Sequence, residues 1–279
     1  MTKFGIDLSR WQGWPDDPVY PSDPPNWPLL ASQGVLFAGI RATVGDYYTD
    51  PMFGWNYDNA VQVGIIPIPY WVLQTNLESD AQAERYLNTL DGRKTWVDVA
   101  DVEVLNSGSL TSRGRALHYG MDSIESETHA MQWIYTRKYF WDANMPSGFL
   151  EDFNDRPLWV ASYGRNDGLV PASPPYPMLP DDWDAQVCWQ YTEKCKDQLL
   201  LSAVASLQLD LNLMTDAMYN ALLVRSGITP PVVTLPAKGS STTPSGGVAT
   251  RNRMSIRALG FSVGCESDPA TRGTASTFA

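Results

Sequence analysis

"TWVDVADVEV" (residues 95–104) is an apolar run punctuated by acids, and its period decides the fold. With a period of two, Val97 and Val99 share one face with Asp101 and Glu103, while Asp98 points the opposite way. A run rich in β-branched residues at this period is a strand. One that begins apolar and ends in two carboxylates on the same face carries acids from a core toward an opening.

Seven further apolar segments of strand length surround it, at residues 3–7, 35–43, 65–73, 131–136, 157–163, 185–192 and 206–214. Helical patterns fall between the early ones, over 53–64, over 79–90 with Ser79 as cap, and over 110–129. After the sixth and seventh strands there is only loop, rich in Pro, Asp and Gly. Strands alternating with helices predict a mainly parallel sheet, and eight of them predict closure. The expected fold class is therefore α/β, an irregular TIM-like β/α barrel whose last strands lack their outer helices.

The 279 residues, 43% of them hydrophobic, are ample for a substantial core. With 20 basic residues against 31 acidic, a net charge of -11, electrostatics argue against nucleic acid or an anionic membrane surface as partner. No stretch reaches the roughly 20 apolar residues of a membrane helix, and "MTKFGIDLSR" lacks the apolar centre of a signal peptide. Three cysteines, Cys188, Cys195 and Cys265, make no disulfide framework. Three reduced thiols are the favoured reading, with a small loop closed by Cys188 and Cys195 as the alternative. Eleven Trp and thirteen Tyr predict an aromatic-rich core first, and flat rings suited to sugar faces second.

"TDAMYNALLVRSG" (residues 215–227) is a final helix ended by Gly227, so the barrel is expected over 1–227. Residues 228–279 are dominated by Pro, Gly, Ser and Thr, with five basic residues against two acidic. Their first part, 228–250, is expected to be a flexible linker, and 251–279 a tail whose "MSIRALGFSV" is apolar enough to dock.

Loops at the C-terminal ends of barrel strands build active sites, and carboxylates stand there repeatedly. Asp7 ends the first strand, Asp101 and Glu103 the fourth, Asp210 the eighth. Closure makes strands one and eight neighbours, which sets Asp7 beside Asp210 and across the mouth from Glu103. Crowded acids cannot all keep ordinary pKa values, and one held protonated can donate at neutral pH. Cleaving a glycosidic bond requires such a donor, with negative charge or a nucleophile on the other side of an oxocarbenium-like centre. Singly, each Asp reads as a cap or an ion-pair partner; four acids at the ends of three strands read as a site. His118 and His129, both in or near a surface helix, argue against a transition-metal centre, so no cofactor or metal is assigned. An all-oxygen calcium or magnesium site is the alternative use of the acid cluster. Phosphate loops, nucleophile elbows, zinc-spaced cysteines and basic aromatic stripes are all absent from the sequence.

"GIDLSRWQG", "RATVGDYYTDPMFGWNYDNAVQVG", "PYWV", "DVE", "IYT", "PLWVASY", "CWQYT" and "LDLN" follow in that order. In this order and spacing the chain, over about residues 3–226, resembles glycoside hydrolase family 25, the Chalaropsis-type lysozymes. The D-P-x-F-x-x-N-x-x-x-A-x-x-x-G stretch from Asp50 to Gly64 and the D-V-E carry most of the likeness. The resemblance implies five β/α units followed by three strands, and cleavage of the β-1,4 bond between N-acetylmuramic acid and N-acetylglucosamine. It implies Glu103 as general acid/base, Asp101 as the acid assisting the substrate's acetamido group, and Asp7 and Asp210 as acids shaping the cleft. It sets Tyr70, Trp71, Tyr135, Tyr163 and Gln190 along the sugar groove. Two departures bear on substrate contacts: Val44 stands where the family commonly has a glutamate, and Trp71 where it often has a histidine.

Peptidoglycan glycan strands are thus the expected partner, reached either by release from a host cytoplasm through a holin or as cargo of a phage particle. The second reading is a virion or wall-binding component that keeps the barrel with weak or no catalysis and assembles through residues 228–279. The third is a chitinase-type D-x-x-D-x-E site of Asp98, Asp101 and Glu103, which the N-terminal block and "LDLN" do not fit.

Overall fold

The computed structural model describes residues 2–146, 153–171 and 176–231. The chain enters through β1 (Thr2–Leu8), α1 (Trp27–Ser32), β2 (Phe37–Val44), the two-residue β3 (Tyr48–Thr49) and α2 (Phe53–Gln62). It continues as β4 (Ile66–Val72), α3 (Ser79–Leu90), β5 (Val97–Asp101), α4 (Leu110–Thr128), β6 (Met131–Thr136) and α5 (Lys138–Asn144). The last part holds β7 (Leu158–Ala161), β8 (Cys188–Thr192), α6 (Gln198–Ala203), β9 (Asp210–Thr215) and α7 (Asp216–Ser226).

Eight strands close a barrel in the order β1-β9-β8-β7-β6-β5-β4-β2, with β2 pairing back onto β1 and β3 folded against the end of β2. Each expected strand segment holds one of these eight. One orientation corrects the sequence reading: β9 runs antiparallel to both β8 and β1. Asp210 therefore begins its strand rather than ending it. It reaches the mouth because the first residue of a reversed strand lies level with the last residues of its neighbour, and Asp7 pairs in register with Asp210.

The short helices α1, α5 and α6, of six or seven residues, are too brief to show a period in sequence. Two are set by caps: Asn26 accepts from the Leu29 amide at the head of α1, and Asp197 from Leu199 and Leu200 at the head of α6. Ser79 is not the cap of α3. Glu78 holds that position without a side-chain bond, and the Ser79 hydroxyl donates instead to the Ala116 carbonyl, tying α3 to α4.

Alternation along the strands builds two cores. Inside the barrel pack Phe37, Ile66, Ile68, Val97, Val99, Trp133, Trp159, Cys188 and Met214, in one cluster with Tyr219 and Leu222 of α7. The opposite strand faces, with Ile6, Ile40, Trp71, Ile134 and Val160, pack with helix residues such as Tyr86, Leu117 and Met121. Each such side chain contributes about 1.5–3 kcal/mol by leaving water. Gly39 decides how the lumen fills: a Cβ there would lie 2.5 Å from the Trp159 ring and 2.7 Å from the Asp7 Cβ. Its absence lets Trp159 lie across the barrel beside Asp7.

Cys188 and Cys195 are both buried free thiols. Past Gly227 the chain stays with the barrel, since Ile228 packs on the lumen core and a Cβ on Gly64 would meet the Thr229 carbonyl oxygen at 2.2 Å. The chain divides into units of residues 1–233 and 234–279. The expected linker 228–250 from residue 232 onward, and all of the tail 251–279, lie outside the described residues. Among the described residues no helix is long and apolar enough to cross a membrane.

Candidate active site

At the mouth a pocket of about 80 Å³ is lined by Asp7, Tyr70, Val99, Asp101, Glu103, Tyr135, Trp159, Gln190 and Asp210. Seven strands meet there through register. Tyr70 of β4 pairs with Val99 of β5, Asp101 with Tyr135 of β6, and Tyr135 with Trp159 of β7. The Tyr135 and Trp159 rings pack edge to face, centroids 5.6 Å apart.

Gln190 ties the far wall together. Its amide nitrogen donates to Asp7 Oδ2 at 2.6 Å and to Asp210 Oδ2 at 3.2 Å. Its carbonyl oxygen accepts from the Tyr135 hydroxyl at 2.8 Å and from the Tyr163 hydroxyl. Asn212 extends this network, donating to Asp7 Oδ2 at 3.4 Å and accepting from Trp159 Nε1 at 2.9 Å. On the near wall Asp101 is 7% exposed and its Oδ1 is buried with no hydrogen-bond partner. Glu103 Oε2 meets Arg137 Nη2 at 2.5 Å.

The acids press on one another. Burial pushes the Asp7 carboxyl up to about 6, against hydrogen bonds from Gln190 and Asn212 that pull it down. Burial, then the charges of Glu103 and Asp7, hold Asp101 well above the usual carboxylate range. Asp210 is held there too, by burial first and then by Asp7, Glu193 and Glu103. Arg41 counters part of this for Asp7 and Asp101. It is held in place by Asp50, whose Oδ2 takes Arg41 Nε at 2.9 Å and the Arg10 amide at 3.0 Å. Asp50, first residue of the 50–64 stretch, thus fixes a cation and the loop after β1 at once.

Trp71 corrects an expectation. It was assigned to the sugar groove, but a strand turns neighbouring residues to opposite faces, and Tyr70 takes the lumen. Trp71 is 1% exposed in the outer core, its ring where a Cβ on Gly120 of α4 would be 2.8 Å away. Val44, also buried, pairs with Val72 and is not among the pocket residues. The D-x-x-D-x-E arrangement is likewise not assembled: Asp98 faces outward and binds Tyr86, Thr128 and Gln132.

Sequence reasoning passed over Arg137, Trp159 and Asn212. Arg137 directly follows β6 and satisfies the strand-end rule that singled out Asp7. Asn212 shares a strand face with Asp210, and Trp159 pairs with Tyr135 across the β6/β7 ladder. Each signal was present but belonged to a residue type not sought. Among the described residues, no group of three or more His, Cys, Asp or Glu is arranged to hold a metal ion.

A closed β/α barrel with carboxylates and aromatic rings gathered at its mouth defines the class, a barrel whose pocket has the groups that glycosidic-bond chemistry needs. The particular family follows from sequence: the model of glycosyl hydrolases family 25 matches residues 6–198, and the chain belongs to that family. Lysozyme M1 of Streptomyces globisporus is 31% identical over 207 residues, 67% of this chain and 61% of that protein. The chain thus spans less than two thirds of that relative's length. Among solved structures, the bacterial lysozyme from Streptomyces coelicolor is 23% identical with a TM-score of 0.62, covering 82% of this chain and 99% of that one. The catalytic domain of an endolysin from bacteriophage P40 of Listeria monocytogenes gives 22% and 0.59, covering 80% and 97%. At these identities the structures speak for the fold.

Proposed function

We propose that the protein is a muramidase, hydrolysing the β-1,4 bond between N-acetylmuramic acid and N-acetylglucosamine in the glycan strands of peptidoglycan, and that it acts on the bacterial cell wall. The observation that carries this reading is the convergence of Asp7, Asp101, Glu103 and Asp210 on one aromatic-lined pocket. Family membership and the likeness to Lysozyme M1 support it.

Glu103 is the general acid/base. It is the last of the pocket acids along the β5 stretch and belongs to the partly exposed rim, where a leaving sugar oxygen can reach it and water can follow. Asp101 assists from below. Its unpartnered Oδ1 is an acceptor for an acetamido N–H, which would orient the amide oxygen toward the anomeric carbon as the bond breaks. Asp7 and Asp210, clamped by Gln190, supply negative potential opposite the developing positive charge on the sugar. Tyr70 and Tyr135, partly exposed in the pocket, offer ring surface to the saccharide, and Trp159 supports Tyr135 from below.

The division into barrel 1–227, linker 228–250 and docking segment 251–279 belongs to the same proposal, as does delivery through a holin or in a phage particle. Purified protein is expected to release reducing ends from peptidoglycan, with muramic acid at the new end by mass analysis. Glu103→Gln should lower turnover by at least about 100-fold with the fold intact. Equal turnover in that variant would remove Glu103 from the mechanism. A barrel kept only for wall binding or virion assembly predicts instead that both proteins are inert.

A further inference from the structure

Arg137 is the residue after β6, and its side chain is 51% exposed beside Glu103. A guanidinium carries five N–H donors in a flat fork. Among the described residues its side chain makes one bond, from Nη2 to Glu103 Oε2. Arg41, the other cation acting on the pocket acids, is buried and held by Asp50. Arg137 is therefore an accessible guanidinium beside the pocket acids with donors to spare.

That contrast selects among ligands. A cleft lined by Asp7, Asp101, Glu103 and Asp210 repels any anionic substituent except where a cation meets it. The two sugars of a glycan strand differ at the lactyl ether of muramic acid, which ends in a free, anionic carboxyl in strands without stem peptides and in an amide where a stem peptide is attached. A planar fork matches the two oxygens of a carboxyl better than a point charge does.

We propose that Arg137 is a specificity-determining residue that receives the lactyl carboxyl group of the muramic acid ring, through the guanidinium donors that Glu103 leaves unused. The inference rests on the muramidase reading and deepens it: it assigns discrimination between the two alternating sugars to a residue outside the acid set. In strands that carry stem peptides the same donors meet the lactyl carbonyl oxygen.

The test uses the full chain and glycan strands stripped of stem peptides, which expose free lactyl carboxylates, against the same strands with those carboxylates converted to neutral amides. The wild-type protein is expected to favour the carboxylate strands in kcat/KM by about tenfold or more, the range of a charge-assisted bond. Arg137→Gln, its fold checked by melting temperature, should bring that ratio close to one, and Arg137→Lys should keep part of it. The ratio is its own control, since disturbing Glu103 slows both strands alike. A ratio unchanged by Arg137→Gln, or already near one in the wild type, overturns the inference and leaves the muramidase reading standing. No cleavage of either strand by the wild type overturns both.

Discussion

Asp98 and Asp101 lie three residues apart on opposite faces of β5, both buried, and the barrel treats them in opposite ways. Asp98, fully buried behind the sheet, takes bonds from Tyr86 at 2.6 Å, Thr128 at 2.7 Å and Gln132 at 3.1 Å. Asp101, 7% exposed, has an oxygen with no partner and faces the charges of Glu103 and Asp7. Burial raises both carboxyls, but only Asp98 has a shell of donors that pulls back. The outer acid joins β5 to α3, α4 and β6. The mouth acid is a local cost to the fold, and a buried acid only partly offset by nearby arginines in a pocket marks chemistry more often than architecture.

If that division holds, the largest stability effect belongs to the outer face. Asp98→Ala strands three buried hydroxyl or amide donors, so it should cost about 3 kcal/mol in denaturant unfolding. Turnover per folded molecule should stay near wild type. A milder loss accompanied by reduced turnover would blur the distinction between the two faces.

A smaller effect tests the mouth. Asp7 titrates near 6 in the fold and near 3.8 when unfolded, so between those values the folded protein holds the extra proton. Stability from this group is greatest at low pH and declines as pH rises toward 6. Allowing for solvent at the mouth, the decline should be on the order of 1 kcal/mol. Asp7→Asn should flatten that part of the stability profile, measured by melting across pH 4 to 7. A slope that survives the substitution would assign the titration to Asp101 or Asp210.

Legibility followed periodicity. All eight barrel strands were readable because each alternates or runs apolar between turn signals, and the opposite faces of Asp98 and Asp101 came from the same period. The reversed direction of β9 was not, since a period of two is the same read either way and direction depends on how the chain returns after β8. Short α1, α5 and α6 fell below the length at which a helical period shows. At the mouth the acids stood out by charge at strand ends, whereas Gln190 gained its central position only from the closing of the barrel. Trp71 misled because an aromatic next to Tyr70 looks like groove lining until the alternation is applied to it.

The central claim is that the lumen acids serve chemistry at the expense of stability, and Asp101→Asn tests it most directly. Melting temperature and turnover on peptidoglycan should be measured on the same preparation. The account predicts a melting temperature equal to or above wild type at neutral pH, because a neutral amide replaces a buried acid that Arg41 and Arg137 only partly offset, together with a loss of turnover of about 100-fold or more. A lower melting temperature with turnover retained would make Asp101 a second Asp98 and contradict the account.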